Sequence, residues 1–199
     1  MGKKIKISFI LASASPRRKE LLQKAGFQFK AVAPNVDESS FYTVGISAEE
    51  YAKALALAKA KNVAEKFPDN FVIGADTVVD YKGEIIGKAS DEKRAEEIIK
   101  KLFSSEHKVI TGIAVVNLSR NIEIVESDTT TVYPKRMSAA QITEHIKGGS
   151  WRDKAGAYAI QETGDEFVER IEGSLSNVMG LPMELLSRIL RKLGIKLLE

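Results

Sequence analysis

The sequence predicts an α/β fold in which a mixed, twisted sheet is flanked by helices. Short apolar runs alternate along the chain with amphipathic segments that begin at capping residues, which is the pattern of strands followed by helices. Hairpin signals interrupt this alternation, so some neighbouring strands are expected to run antiparallel. No repeat, low-complexity tract or flexible linker divides the chain, and residues 1–199 are therefore expected to form one domain.

Turn and capping residues place the elements in the first third of the chain. Ser15 and Pro16 indicate a helix start, because proline suits the first helical position and serine can cap it. Gly26 suits the end of that helix, and the capping box of Ser47 and Glu50 opens an alanine-rich helix. The predicted elements are a strand beginning at Ile7, a helix 16–25, a strand 27–33, a loop 35–45 and a helix 47–66.

The rest of the chain mixes hairpins with helices. Lys82 and Gly83 indicate a tight turn between two extended segments, and the β-branched and aromatic run 129–133 indicates a strand. Ser138 and Gln141 form a second capping box. The predicted elements are a strand 71–75 that ends at Asp76, a hairpin 78–86, a helix 92–103, strands 107–117 and 122–133, a helix 138–148, strands 155–160 and 167–171, and a helix 181–193.

Composition excludes several kinds of chemistry. The absence of cysteine excludes disulfides, zinc–thiolate sites and thiol nucleophiles, and two histidines are too few for a histidine-rich metal centre. A metal would therefore be held by oxygen, as Mg²⁺ or Mn²⁺ is. A net charge of +3 does not indicate a nucleic-acid partner. The apolar run after the basic N-terminus is too short for a signal or membrane segment, which favours a cytoplasmic protein with no membrane partner.

The turn between the first strand and the first helix carries an unusual set of polar groups. Ser13 and Ser15 bring hydroxyls, Arg17 and Arg18 bring guanidinium groups, and the helix start brings backbone N–H groups. Such a combination favours the binding of a polyanion such as phosphate. The alternative is that the arginines are solvated helix charges and the serines are only caps.

Asp76 follows an apolar strand and the small residues Gly74 and Ala75, where open α/β sheets bind ligands. A carboxylate there can bind a metal or accept a proton from water, although an aspartate at such a position can also be a simple turn residue.

Residues elsewhere give weaker signals. Glu38 lies in a polar loop, Lys59 resembles its surface neighbours, Lys88 follows a glycine near a strand end, and Gln161 could pair with a base edge.

No Walker A and no Gly-x-Gly-x-x-Gly pattern is present, so ordinary nucleotide folds of those types are excluded. Cations and N–H groups for phosphates, together with carboxylates for a metal and water, favour hydrolysis or transfer at a phosphoanhydride.

Five segments, in this order and spacing, resemble the motifs of the Maf (septum formation) family. They are Ser13-x-Ser15-Pro16-Arg17-Arg18, Gly74-Ala75-Asp76-Thr77-Val78-Val79, Gly87-Lys88, the run from Lys154 to Gln161, and Gly173-Ser174 with Asn177-Val178-x-Gly180-Leu181-Pro182.

The resemblance implies an inosine-triphosphatase-like fold with a cleft between two lobes. It also implies a pyrophosphatase that uses a divalent cation to cleave a nucleoside triphosphate between the α- and β-phosphates. Glu38 and Asp76 are the carboxylates expected to hold the metal. The implied catalytic residues are Asp76 as proton acceptor, Glu38, Lys59 and Lys88, and the implied substrate-binding or specificity residues are Ser13, Arg17, Arg18, Thr77, Lys154 and Gln161.

The segment 157–161 resembles the branch of the family that acts on dTTP, UTP and modified pyrimidine triphosphates. Glu162 departs from the glycine expected after Gln161, which affects the expected substrate more than the expected reaction. The family further implies a homodimer. The alternatives are a 7-methyl-GTP pyrophosphatase and a non-catalytic, nucleotide-binding regulator of septum formation or cell division.

Overall fold

The computed structural model describes residues 9–41, 45–158, 160 and 167–195. Elements fall close to their predicted positions, and a one-turn helix at 175–178 was not predicted. The strands are β1 Phe9–Ala12, β2 Phe29–Val32, β3 Phe71–Tyr81, β4 Glu84–Ile86, β5 His107–Asn117, β6 Ile122–Pro134 and β7 Val168–Glu172. The α-helices are α1 Pro16–Lys24, α2 Ala48–Ala64, α3 Glu92–Leu102, α4 Ala139–Gly148, α5 Leu175–Val178 and α6 Met183–Lys192, and a 3₁₀ helix spans Glu38–Ser40.

The strands form one mixed sheet in the order β2-β1-β3-β5-β6-β7. β1 is parallel to both β2 and β3, whereas β3, β5, β6 and β7 follow one another antiparallel. β4 turns back along β3 as the predicted hairpin. The mixed α/β fold expected from the sequence is therefore confirmed.

β3 has a gap along one of its edges. Its β5 edge is paired from Val72 to Asp80, but on the other edge β1 pairs only as far as Gly74 and β4 begins at Val79. Asp76 lies in this gap. The prediction that the strand ends at Asp76 was wrong, because the strand continues into the β3–β4 hairpin, and it is the parallel neighbour β1 that stops.

Two lobes lie on either side of this gap. Around β1 and the first half of β3, alternate residues enter two cores: Ile73 packs with α6 on one sheet face, and Val72 packs with α2 on the other. Around the hairpin, α3 and α4 cover a separate core that includes Val79 and Val132. The gap therefore lies between two independently packed regions.

α2 lies unusually close to the sheet because small residues face each other. A Cβ added at Gly112 would lie 2.3 Å from the carbonyl oxygen of Ala52, and one added at Gly74 would lie 2.3 Å from that of Ala56. Gly112 is the cross-strand partner of Asp76. The two glycines therefore allow the backbone of α2 to rest on the sheet at the level of Asp76.

The predicted strand 155–160 was wrong. Ala155 makes an isolated bridge to Lys88, and the chain then turns, with positive φ values of 73° at Gly156 and 59° at Ala157. These φ values lie in the left-handed region, which interrupts an extended strand. Alternation of small residues with Tyr158 and Ile160 resembles a strand pattern, but here it accompanies a turn.

Candidate active site

Two adjoining cavities occupy the cleft at the gap in β3. The larger, about 570 Å³, lies over the turn between β1 and α1 and is called the Ser13 cavity; the other reaches Asp76 and Thr77 and is called the Asp76 cavity. Residues lining both are Ser15, Arg17, Arg18, Lys59, Lys88, Asp153 and Lys154. The structure thus gathers at one cleft the predicted cations of four separate segments.

Lys59 joins two carboxylates. Its Nζ lies 2.5 Å from Oδ1 of Asp76 and 2.7 Å from Oε1 of Glu38. Lys59 and Asp76 are each only 7% exposed, whereas the Glu38 side chain is about half exposed. Lys59 reaches Asp76 because α2 rests on the sheet at that level. Glu38 lies on the 3₁₀ helix, which is capped by Asp37: the Asp37 side chain accepts a hydrogen bond from Ser39 N.

The two carboxylates are in different electrostatic states. Burial raises the pKa of Asp76 above its usual value, although the positive charges of Lys59 and Arg18 oppose the rise. Burial acts on Glu38 in the same direction, but its hydrogen bond to Lys59 and the charges of Lys59, Lys88 and Arg18 lower its pKa overall. A buried carboxylate with a raised pKa is a better proton acceptor, and this property distinguishes Asp76 from Glu38.

Arg18 connects the β1–α1 turn to two other segments. Its Nε donates to Gly180 O at 2.7 Å, its Nη2 to Thr77 Oγ1 at 3.1 Å, and its Nη1 to Ser13 Oγ at 3.4 Å. Arg18 is therefore not a freely solvated helix charge. Ser15 occupies the N-cap position, but its side chain makes no cap hydrogen bond; its backbone N–H donates to Ser13 Oγ instead.

Two further buried polar residues lie at this site: Asn177 belongs to one of the motif segments, and Thr111 has no signal in the local sequence. Thr111 Oγ1 lies 3.0 Å from Thr77 Oγ1 and donates to the backbone carbonyl of Asn177 at 3.0 Å. The Asn177 side chain in turn donates to Val109 O at 3.0 Å and to Thr130 Oγ1 at 2.9 Å. Both residues have no exposed surface, and their roles depend on contacts between distant strands.

The remaining site residues differ in how far the structure describes them. Lys154 is buried, and its Nζ donates to Ser150 O. Arg152 also lines the Ser13 cavity, which the sequence did not indicate. Gln161 and Glu162 lie outside the described residues.

The Asp76 cavity has apolar as well as polar walls. Val109, Val178 and Met179 line it together with the buried ring of Tyr158. The Tyr158 hydroxyl lies 2.6 Å from His107 Nε2, and the ring packs edge-on against Phe103. Tyr158 is thus held in the core of the hairpin lobe, and these side chains give the cavity an apolar wall.

Within the described ranges, no cluster of three or more His, Asp or Glu side chains is placed to hold a metal ion. Glu38 and Asp76 nevertheless converge on one cationic group, the Lys59 ammonium, so both carboxylates face the same part of the cleft. Mg²⁺ commonly uses one or two carboxylates and completes its shell with substrate phosphates. Also within the described ranges, no helix has the length and apolarity needed to cross a membrane.

Two solved structures with a similar fold are Ham1 proteins. A Ham1 protein from Staphylococcus aureus aligns with a TM-score of 0.54 at 15% identity, covering 93% of this chain and 98% of that one. A HAM1 protein from Coxiella burnetii aligns with a TM-score of 0.53 at 12% identity, covering 94% and 99%. These likenesses define the class of fold: a mixed α/β sheet of the Ham1 type.

Residues 8–193 match the family model described as Maf-like protein, and the chain belongs to that family. A dTTP/UTP pyrophosphatase of Geotalea uraniireducens is 46% identical over 189 residues, 95% of this chain and 96% of the relative. A dTTP/UTP pyrophosphatase of Methanosarcina barkeri is 42% identical over 191 residues, 96% of each chain. The resemblance that the sequence motifs carry, including its dTTP/UTP branch, is confirmed.

Proposed function

We propose that this chain hydrolyses dTTP and UTP, and modified pyrimidine triphosphates of similar shape, to the nucleoside monophosphate and pyrophosphate. The observation that carries the proposal is the cluster in which buried Lys59 contacts buried Asp76 and half-exposed Glu38, beside a cavity lined by Arg17, Lys88 and other cations. The names of the relatives support the substrate, and the cluster supports the chemistry.

Asp76 is the proton acceptor of the proposed reaction. A water oxygen bonds to the α-phosphorus, the bond from that phosphorus to the bridging oxygen breaks, and the water proton passes to the Asp76 carboxylate. The electron pair of the broken bond leaves with pyrophosphate. Arg17, Lys59 and Lys88 stabilise the charge that develops on this leaving group, because cations held in place need no rearrangement during the reaction.

A divalent cation, Mg²⁺ or Mn²⁺, would be held by Glu38 and Asp76 together with oxygens of the substrate. When bound, it would supply charge neutralisation at the phosphates. Lys59 contacts both carboxylates and holds them near each other.

Ser13, Arg18 and Lys154 bind or position the substrate, and Gln161 binds the edge of the pyrimidine base. We further propose a cytoplasmic homodimer, which sedimentation at several protein concentrations tests.

Pyrophosphate release tests the function directly. The protein is assayed with dTTP, UTP, CTP, GTP, ATP and 7-methyl-GTP, with Mg²⁺ or Mn²⁺, alongside Asp76→Asn. We expect release from dTTP and UTP that the variant loses. Release from 7-methyl-GTP alone would assign the chain to the other branch. Nucleotide binding without release from any substrate would favour the regulatory alternative.

A further inference from the structure

Four residues from four elements form a hydrogen-bonded chain on the face of β3 that carries Thr77. Arg18 on α1 contacts Thr77, Thr77 contacts its cross-strand partner Thr111, and Thr111 contacts the carbonyl of Asn177 on α5. The donor–acceptor distances are 3.1, 3.0 and 3.0 Å. Thr77 lines the Asp76 cavity, whereas Thr111 is completely buried behind it.

The chemistry of its two ends fixes the direction of this chain. A guanidinium group can only donate hydrogen bonds, and a carbonyl oxygen can only accept them. The single hydroxyl hydrogen of Thr111 is therefore used on Asn177 O, and Thr111 must accept at its contact with Thr77. The hydroxyl hydrogen of Thr77 is consequently committed to Thr111, away from the cavity.

The remaining hydrogen-bonding capacity of Thr77 follows from this direction. A hydroxyl has one hydrogen and two acceptor sites, and Thr77 uses its hydrogen on Thr111 and one acceptor site on Arg18. One acceptor site is left. Thr77 can thus accept a hydrogen bond from a ligand in the Asp76 cavity but has no hydrogen to offer it.

One side of the cavity that Thr77 lines suits a base. The walls at Val109, Tyr158 and Val178 are apolar, and the cations that suit phosphates line both this cavity and the adjoining Ser13 cavity. Thymine and uracil carry an imide N–H at ring position N3, which is a donor. Cytosine has an unprotonated nitrogen at the same position, which is an acceptor, and two facing acceptors leave a buried polar group unpaired.

We propose that Thr111 is a positioning residue for base selection: by holding the hydroxyl hydrogen of Thr77, it makes Thr77 an acceptor for the imide N–H of thymine or uracil. This inference rests on the proposed function and deepens it. It gives the fully buried Thr111, which touches no substrate, a specific effect on which pyrimidine is hydrolysed.

Thr111→Val tests the proposal, because valine has nearly the same shape but cannot accept the Thr77 hydrogen. Thr77 is then free to turn its hydroxyl and donate to cytosine. We expect the ratio of kcat/KM for dTTP to that for dCTP to fall about tenfold, the size expected when one buried hydrogen bond decides between substrates. Thr111→Ser keeps the hydroxyl and should keep the wild-type ratio. The wild type should also hydrolyse N3-methyl-dTTP poorly.

Several results would overturn the proposal while leaving the function intact. An equal loss with dTTP and dCTP in Thr111→Val would reduce Thr111 to a structural role, and efficient hydrolysis of N3-methyl-dTTP would mean that the imide N–H is not read. If Thr111→Val does not fold, the smaller Thr111→Ala is compared with Thr111→Ser in its place. If the wild type releases no pyrophosphate from dTTP, the proposed function fails. The same ratio is then measured as Kd for dTTP against dCTP by calorimetry.

Discussion

The two faces of β3 meet in one cleft but hold their polar side chains by different forces. Asp76 points to the α2 face, where burial raises its pKa and its ion pair with Lys59, which also contacts Glu38, opposes the rise. Thr77 belongs to the opposite face, where Arg18 and Thr111 hold a neutral hydroxyl in one direction. Under the two proposals, neighbouring residues on one strand separate two tasks: the ionic face is assigned to the reaction, and the hydroxyl face is assigned to base selection.

Asp76→Asn should have the largest effect and should be confined to the reaction. Asparagine keeps the volume but cannot accept the proton, so we expect kcat for dTTP to fall about 10³-fold, within the range for a lost general base. Nucleotide affinity, measured by calorimetry, should change far less. Asp80→Asn is the matched control on the same strand, because Asp80 lies at the hairpin turn, where it accepts a hydrogen bond from Gly83 N. Near-normal turnover in folded Asp76→Asn would remove Asp76 from its proposed role.

Lys59→Met should alter the pH dependence of the ionic face. The charge of Lys59 lowers the pKa of Asp76 against the effect of burial, so its loss should raise that pKa further. Because the base acts when ionised, activity rises with pH through this pKa, and the acidic limb of kcat/KM should move to higher pH. Turnover should also fall about 10²-fold, because the variant lacks the cation that is proposed to stabilise the leaving group.

The control for Lys59→Met is Lys61→Met. Lys61 lies on the same helix, and its side chain forms an ion pair with Glu123 instead. Its pH profile should match that of the wild type. Selectivity between dTTP and dCTP should survive in Lys59→Met, because the hydroxyl chain does not include this lysine. An acidic limb that stays in place would mean that another group titrates in the profile.

Gly112→Ala should push α2 away from Asp76. The new Cβ would lie 2.3 Å from Ala52 O, which is backbone and cannot rotate aside. We expect the free energy of unfolding to fall by about 2 kcal/mol, as overpacked cores show, and kcat to fall as Lys59 moves. Gly148→Ala, which meets no atom within 4 Å, is the matched control in urea unfolding. Equal stability of the two variants would contradict the close approach of α2.

Much of the fold was predictable because its signals are local. The capping boxes at Ser47 and Ser138 form as predicted, and β5 has its predicted ends. The two errors concern features that the local pattern of side chains does not contain. Whether β3 ends at Asp76 depends on the pairing of its second half with β4 and β5, and the strand-like alternation after Ala155 does not show the positive φ values.

The site was predictable only in part. Asp76 stands out because of the strand and the small residues before it, but Lys59 does not differ from Lys53 and Lys61 in its local sequence. The structure distinguishes it, because it alone of the three contacts both Glu38 and Asp76. Thr111 lies inside an ordinary strand pattern, and its contacts come from β3 and α5. Such hydrogen bonds join residues that are far apart in the chain, so a local sequence pattern does not indicate them.

Tyr158→Phe should have the smallest effect and tests the wall of the Asp76 cavity apart from its polar faces. The hydroxyl makes a buried hydrogen bond of 2.6 Å with His107, and burial lowers the pKa of His107 to about 4, so this ring is neutral at pH 7. Loss of the bond should lower the free energy of unfolding by about 1 kcal/mol. The ring still fills its place against Phe103, so kcat/KM should change far less than in the variants of Asp76 or Lys59.

Tyr81→Phe, which removes an exposed hydroxyl bonded to Ser104, is the control in thermal unfolding. A loss of turnover as large as that of Asp76→Asn would place the Tyr158 hydroxyl in the reaction itself and break the division of tasks between the two faces of β3.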